Sequence, residues 1–216
     1  MTERISPRRD KTEVEPAAQD RLPRIGIMGE FSAGKTTFLN FLLGEALLPT
    51  RVTATQIPPV WISHGASNAI LVDQAGHETE IGLAGLGQVS LEGAAYVRLT
   101  CQNDLLHEFE LIDTPGISDP NIADSYRDAM VGHLDGLIWC THAPQAWRES
   151  ERRIFQSLPA ALREKSILLA TRSDKLVASD RDRVQARLQR EVGRDFRDII
   201  MFSTFDAIRA CAVEDG

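Results

Sequence analysis

The feature that most constrains the fold of this chain is the octapeptide GEFSAGKT at residues 29 to 36. It fits the pattern G-x-x-x-x-G-K-[ST], and it lies between an apolar β-type run, RIGIMG, and a helical run, TTFLNFLL. The predicted order is therefore strand, glycine-rich turn and helix. In such a segment the backbone N–H groups of the turn and of the helix N-terminus form a phosphate-binding loop. The alternative is a chance glycine-rich turn, and the complete pattern in this context argues against it.

The positions of this loop have separate predicted roles. Gly29 and Gly34 let the backbone wrap closely around phosphate oxygens, Lys35 adds a mobile positive charge, and Thr36 offers its hydroxyl to magnesium. The residues predicted to contact the nucleotide here are Gly29, Glu30, Phe31, Ser32, Ala33, Gly34, Lys35, Thr36 and Thr37.

A second turn, DTPG at residues 113 to 116, follows the apolar run FELI. An acidic residue at a strand end can hold the water shell of a magnesium ion, which we assign to Asp113, and the Gly116 N–H can contact the γ-phosphate. Read alone, such a turn is common and structural. In the loop after the first helix, Thr50, Thr53 and Thr55 are weaker candidates for a second metal-binding hydroxyl.

A third motif, TRSD at residues 171 to 174, ends the apolar run SILLA. A carboxylate at Asp174 can accept hydrogen bonds from the ring N–H and the exocyclic amine of guanine, a pair of donors that adenine lacks. Leaving that carboxylate unpaired costs about 1–3 kcal/mol, enough to select guanine. Arg172 is expected to lay its stem along the base, beside Thr171. The structural alternative is an Asx turn at the strand end.

The order of the elements predicts one α/β domain. Apolar strand patterns alternate with helical patterns of 10 to 15 residues, which indicates a mostly parallel central sheet with helices on both faces and a ligand site at the carboxyl ends of the strands. Strands are expected at 24–29, 60–63, 70–74, 96–101, 108–112, 136–141, 166–171 and 198–203, and helices near 122–133, 147–158 and 179–193. Residues 1–22 are expected to form a flexible tail before a domain at 23–216.

Composition narrows the classes of partner and compartment. The net charge of −7 argues against nucleic acid as the main partner, because phosphate contacts need a basic face. The three cysteines, without a C-x-x-C pair, indicate free thiols and a cytoplasmic protein, and the five histidines show no metal-ligand spacing.

The run RESERR at residues 148 to 153 is interpreted as a solvated helix face.

Together these residues resemble the dynamin-like large GTPases, in particular their bacterial members. The resemblance rests on GEFSAGKTT with LLGEALLPT behind it, on DTPG followed by a helix and DGLIWCT, and on TRSD where many GTPases have N-K-x-D. It covers roughly residues 24 to 205. It implies a P-loop GTPase domain in which Thr55 is the metal-binding threonine, with Thr53 second, and Ser32 positions the β- and γ-phosphates. Ser203 and Thr204 then lie in the last base-contacting loop.

The chain departs from that family at the positions that orient the attacking water. Phe31 stands where eukaryotic dynamins have Gln, and Ile117 stands where Ras-like GTPases have theirs. The chain also ends about a dozen residues after its last predicted strand, so we expect no stalk or membrane-binding region within it and only indirect membrane contact.

The expected function is GTP hydrolysis to GDP and phosphate with Mg²⁺, as a nucleotide-dependent switch. Lys35, Ser32, Thr55 and Gly116 are the expected catalytic residues. The resemblance implies a nucleotide-dependent homodimer, or pairing with a related stalk-bearing G domain. Two alternatives remain open: a GTP-dependent binding module that hydrolyses very slowly or not at all, and an Era-like ribosome-assembly GTPase, which this acidic chain disfavours.

Overall fold

The computed structural model describes residues 21–49, 58–89, 93–115 and 130–214. In those ranges nine strands form a single sheet, flanked by α-helices and short 3₁₀ helices. The strands are β1 Arg24–Gly29, β2 Val60–His64, β3 Asn68–Asp73, β4 Glu78–Glu80, β5 Ala94–Cys101, β6 Glu110–Asp113, β7 Gly136–His142, β8 Ser166–Thr171 and β9 Asp198–Met201. The α-helices are α1 Lys35–Leu42, α2 Gly82–Gly85, α3 Glu149–Ser157, α4 Ala160–Arg163, α5 Ala178–Val192 and α6 Thr204–Glu214.

The strand order is β4-β3-β5-β2-β6-β1-β7-β8-β9. From β6 to β9 every neighbouring pair is parallel, whereas β2 runs antiparallel to β6, and β3 runs antiparallel to both β4 and β5. The prediction of a mostly parallel sheet is therefore confirmed, with the antiparallel pairs confined to one half. The carboxyl ends of β1, β6, β7, β8 and β9 meet at a single edge, where ligands of such sheets bind.

Two apolar layers cover the faces of the sheet, which confirms the predicted helices on both sides. On one face Ile27 of β1 packs with Phe38 and Leu39 of α1. On the other, Met28 packs in the layer that contains Trp139 and Phe155. Neighbouring residues of β1 thus point into opposite cores, and burying each such side chain contributes about 1.5–3 kcal/mol.

Some element bounds differ from those expected. The predicted helix 147–158 is divided into α3 and α4, because Leu158 adopts the extended conformation (φ −69°, ψ 152°) that a residue before proline favours. The short edge strand β4, three exposed residues with little apolar pattern, was not predicted. The predicted helix 122–133 lies mostly outside the described residues.

The proposed division into a tail and a domain stays a prediction, since residues 1–20 are not among those described. Arg21, which is described and lies near the end of the predicted tail 1–22, forms an ion pair with Asp135 at 2.6 Å. None of the helices in the described ranges is both long and apolar enough to cross a bilayer.

Candidate functional site

The glycine-rich loop leaves β1 in contact with β7. Gly29 has φ +148°, and a Cβ there would lie 2.1 Å from the Cys140 carbonyl oxygen, so only glycine allows the loop to begin this close to the sheet. Gly34 has φ +83° and precedes the first residue of α1. The first N–H groups of that helix therefore face the space that the loop encloses.

Lys35 folds back over the loop that precedes it. Its ammonium donates hydrogen bonds to the carbonyl oxygens of Gly29 at 3.1 Å and Glu30 at 2.9 Å, and its side chain is buried. Burial lowers the pKa of Lys35, while Asp113 nearby acts in the opposite direction. Carbonyl contacts of this kind are weaker than contacts with an anion, so the ammonium is positioned to exchange them for phosphate oxygens.

Asp113 lies at the end of β6, where its carboxylate meets α1. Its Oδ2 accepts a hydrogen bond from Thr36 Oγ1 at 3.2 Å, and its Oδ1 is buried without a hydrogen-bond partner in the described part of the chain. Burial raises the pKa of Asp113 to about 6, against the opposite effect of the Lys35 charge. A buried carboxylate oxygen without a partner, beside a threonine hydroxyl, fits the oxygen ligands of Mg²⁺.

Thr171, at the end of β8, ties the third motif to the phosphate loop. Its hydroxyl donates to the Ala33 carbonyl at 2.7 Å and lies 3.1 Å from the Thr141 carbonyl. Thr171 therefore connects the phosphate loop to the β8 turn, in addition to any base contact that its position suggests.

The two loops predicted to contact the base lie side by side. The Ser173 N–H donates to the Phe202 carbonyl at 3.0 Å, and the Ser203 hydroxyl accepts from the Asp206 N–H at 3.1 Å. Arg181 of α5 spans both loops, since it donates to the Ser173 carbonyl at 3.2 Å and pairs with Asp206 at 3.6 Å.

Of the predicted base contacts in these two loops, Arg172, Asp174 and Thr204 are at least partly open to solvent. Arg172 is exposed in the left-handed conformation, with φ +55°, and Asp174 lies 3.6 Å from the Lys175 ammonium. Ser203 is buried and Thr204 begins α6. The sequence predictions for Arg172, Asp174, Ser203 and Thr204 thus concern residues of one neighbourhood, and their roles stay predictions.

The outer part of the phosphate loop faces solvent. Ser32 is exposed with φ +60°, Phe31 is 51% exposed and Thr37 is exposed on α1. The other predicted contacts, Thr50, Thr53, Thr55 and Gly116, lie outside the described residues, as does Ile117. Their assignments as metal-binding, catalytic or water-orienting positions stay predictions.

The interpretation of RESERR as a solvated face is wrong for Glu151. This side chain is buried, and its carboxylate accepts hydrogen bonds from Trp139 Nε1 at 3.2 Å, Thr141 Oγ1 at 3.0 Å and the Arg148 N–H at 2.9 Å. Burial raises the pKa of Glu151. Arg148 is the cap residue of α3, but an arginine side chain has no acceptor atom, so the sequence lacks the Ser/Thr-x-x-Glu pattern that would have indicated this contact.

The family model described as the Dynamin family matches residues 25–172. Dynamin-like protein 2 of Campylobacter jejuni is 26% identical over 195 residues, which cover 87% of this chain and 32% of that protein.

Solved structures share the fold. A bacterial dynamin from an oligomerised pair, described as a mechanism for long-range sensing and tethering of membranes, aligns with a TM-score of 0.67 and 23% identity over 85% of this chain and 31% of that one. Era of Aquifex aeolicus bound to GDP·AlF4⁻ aligns with a TM-score of 0.54 and 16% identity over 89% of this chain and 56% of that one. The chain spans about a third of the length of the dynamin relatives.

Proposed function

The chain belongs to the dynamin family as a GTPase domain, and from this premise we propose that it binds GTP with Mg²⁺ and hydrolyses it to GDP and phosphate. The observation that most supports this function is the convergence of three groups at one edge of the sheet. These are the Lys35 ammonium, the Asp113 carboxylate beside Thr36, which has one oxygen without a partner in the described ranges, and the Thr171–Asp174 loop tied to Ala33.

The phosphate end of the nucleotide is bound by the loop and by α1. Backbone N–H groups from Gly34 to Thr37 and the Lys35 ammonium surround the β- and γ-phosphates, and Ser32 contacts them from the outer part of the loop. Mg²⁺ supplies charge neutralisation across the phosphates when it is bound. Thr36 Oγ1 and Asp113 would hold it, with Thr55 as the proposed additional hydroxyl.

The guanine end lies against the two base loops. Asp174 accepts from the ring N–H and the exocyclic amine, Arg172 lies along the base, and Ser203 and Thr204 close the other side. The Arg181 contacts with Ser173 and Asp206 link the two loops before the base is bound.

In the reaction itself, the oxygen of the attacking water forms a bond to the γ-phosphorus. The bond from that phosphorus to the β–γ bridging oxygen breaks, and its electron pair leaves on GDP. Both protons of the water pass to the released phosphate, one on the attacking oxygen and one on another γ-phosphate oxygen. With Phe31 and Ile117 at the positions of the usual Gln residues, the Gly116 N–H and the Thr55 loop are the proposed groups that orient the water. Such a site is slow until a partner orders it.

The proposed setting is a cytoplasmic, nucleotide-dependent switch. The described free thiols, two buried and one exposed, are consistent with a reducing compartment. A bacterial dynamin of the same fold is one of an oligomerised pair. We therefore infer that this chain pairs through its nucleotide face, with a second copy or with a related stalk-bearing G domain.

A single-turnover phosphate-release assay tests the hydrolysis. Protein in excess over GTP, with Mg²⁺, is expected to release one phosphate per nucleotide, whereas chelation of Mg²⁺ abolishes the release. Tight GTP binding without phosphate release would reject the enzyme and leave a GTP-dependent binding module. Stimulation by ribosomal RNA alone would instead favour the Era-like alternative.

A further inference from the structure

The phosphate loop carries an acidic side chain, and that side chain is bound by another element. Glu30 follows Gly29 directly, and its carboxylate accepts from Arg148 Nη1 at 3.1 Å and from the Ser150 hydroxyl. The Glu30 side chain is only 15% exposed, whereas that of Arg148 is 51% exposed. Glu30 is part of the first motif, whereas its partners Arg148 and Ser150 lie outside all three motifs that define the site.

A negative charge at this position opposes the ligand. The loop is built to surround a polyphosphate, and an unpaired carboxylate in it repels each phosphate charge. The field of Glu30 extends into the site, since it raises the pKa of Lys35 against the larger effect of burial. The ion pair with Arg148 offsets this repulsion.

Arg148 is presented from a rigid support. Its own backbone N–H donates to the buried Glu151 carboxylate at 2.9 Å, and Glu151 is fixed by Trp139 and Thr141 of β7. The start of α3 is therefore anchored to the sheet. The Arg148 guanidinium extends to the loop from a backbone position that these hydrogen bonds fix.

The same network reaches the far end of the loop. The Thr141 carbonyl lies 3.1 Å from the Thr171 hydroxyl, which donates to the Ala33 carbonyl. Glu30 and Ala33, three residues apart, are thus both held by contacts that lead back to β7. The loop is braced on both sides of Ser32.

We propose that Arg148, with Ser150, is a positioning residue of the phosphate site, which holds and neutralises Glu30 so that the loop accepts the triphosphate. This inference rests on the proposed GTP binding. Because its effect is electrostatic, it is greater for GTP than for GDP, which carries less negative charge.

The experiment compares GTP and GDP affinities, with Mg²⁺, for wild type, Arg148→Ala, Arg148→Lys and the double variant Arg148→Ala/Glu30→Gln. The matched control is Arg153→Ala on the same helix, where the arginine is 79% exposed and pairs only loosely with Glu149, at 3.6 Å. Circular dichroism verifies that each variant is folded.

In Arg148→Ala we expect GTP affinity to fall roughly five- to tenfold more than GDP affinity, the size of effect that one charge has in a partly solvated site. Arg148→Lys retains most of the preference. The double variant, which lacks the repelling charge, regains the wild-type ratio of the two affinities. Arg153→Ala leaves the ratio unchanged.

Two results would overturn the proposal: an unchanged GTP-to-GDP affinity ratio in Arg148→Ala, or a double variant as impaired as the single one. The second result would indicate that Arg148 contacts the phosphates directly. A wild type with no affinity for GTP would reject the proposed function itself, and this role with it.

Discussion

At the scale of single residues, Asp113 shows how the site differs from the rest of the core. A buried carboxylate that has one oxygen without a partner among the described residues, and a pKa raised to about 6, lowers the stability of the domain. Such a group is retained where it has a ligand to bind, and the adjoining Thr36 hydroxyl gives that ligand a second oxygen.

Base selection is also a property of one residue. Asp174→Asn replaces an acceptor by a donor at the position opposite the exocyclic amine, so GTP affinity should fall by at least about tenfold, the effect of about 1.4 kcal/mol. Xanthosine triphosphate, which has a carbonyl there, should gain affinity. Competition binding measures both changes.

The control for this change is Asp180→Asn on α5, where the carboxylate pairs with Arg183 at a distance of 3.4 Å. It should leave the order of nucleotide affinities unchanged. A wild type that binds ATP and GTP equally would contradict the assignment of Asp174.

At the scale of elements, α3 is anchored to the sheet by the hydrogen bonds of Glu151 as well as by the buried Phe155. In Glu151→Gln the amide NH₂ meets the Trp139 Nε1–H, so one buried donor loses its acceptor, at a cost of about 1–3 kcal/mol. Urea unfolding of wild type and variant measures this loss. Glu149→Gln is the control, because Glu149 is exposed and its ion pairs with Arg152 and Arg153 are long, at 3.9 and 3.6 Å.

The same pair of proteins tests the sign of the pKa shift of Glu151, which burial raises above its ordinary value of 4.5. A group with a raised pKa in the folded state adds stability below its unfolded pKa and loses it as pH rises through the folded pKa. The wild type should therefore gain stability relative to Glu151→Gln as pH falls from neutral towards 4.5. A difference that is constant with pH, or that shrinks on acidification, would contradict a raised pKa.

Sequence reasoning predicted the elements whose signals are local. Apolar runs and the glycines at their ends predict the strand, turn and helix around Gly29 and Lys35. Apolar runs also predict the parallel strands β7 and β8. It missed the burial of Glu151, because the polar run RESERR gives no sign that Trp139 and Thr141 lie beneath it. It also missed Glu30 as an ion-pair partner, since Arg148 is distant in sequence and only the sheet order brings them together.

At the scale of the whole molecule, pairing of G domains is the proposed source of activation. We propose that, with Phe31 and Ile117 at the predicted positions of the water-orienting Gln residues, a second chain across the nucleotide face orients the attacking water and excludes solvent. We expect the specific rate of GTP hydrolysis to rise with protein concentration, and a dimer to form with a transition-state mimic but only weakly with GDP.

Light scattering and turnover over a hundredfold range of protein concentration measure both effects. The chain spans about a third of its dynamin relatives, so the measurement is repeated with any longer natural form. Constant specific activity from a monomer in every nucleotide state would reject activation by pairing and leave the GTP site itself untouched.

The central claim, that the loop before α1 binds the phosphates of GTP, is tested most directly by calorimetric titration of wild type and Lys35→Ala with Mg·GTP and Mg·ATP. Wild type should bind GTP in preference to ATP. Lys35→Ala, which removes a charge-assisted contact, should bind GTP roughly ten- to hundredfold more weakly with its fold intact. Lys165→Ala, at an exposed lysine before β8, should behave as wild type. Wild-type GTP affinity retained in Lys35→Ala would contradict the assignment of the phosphate site.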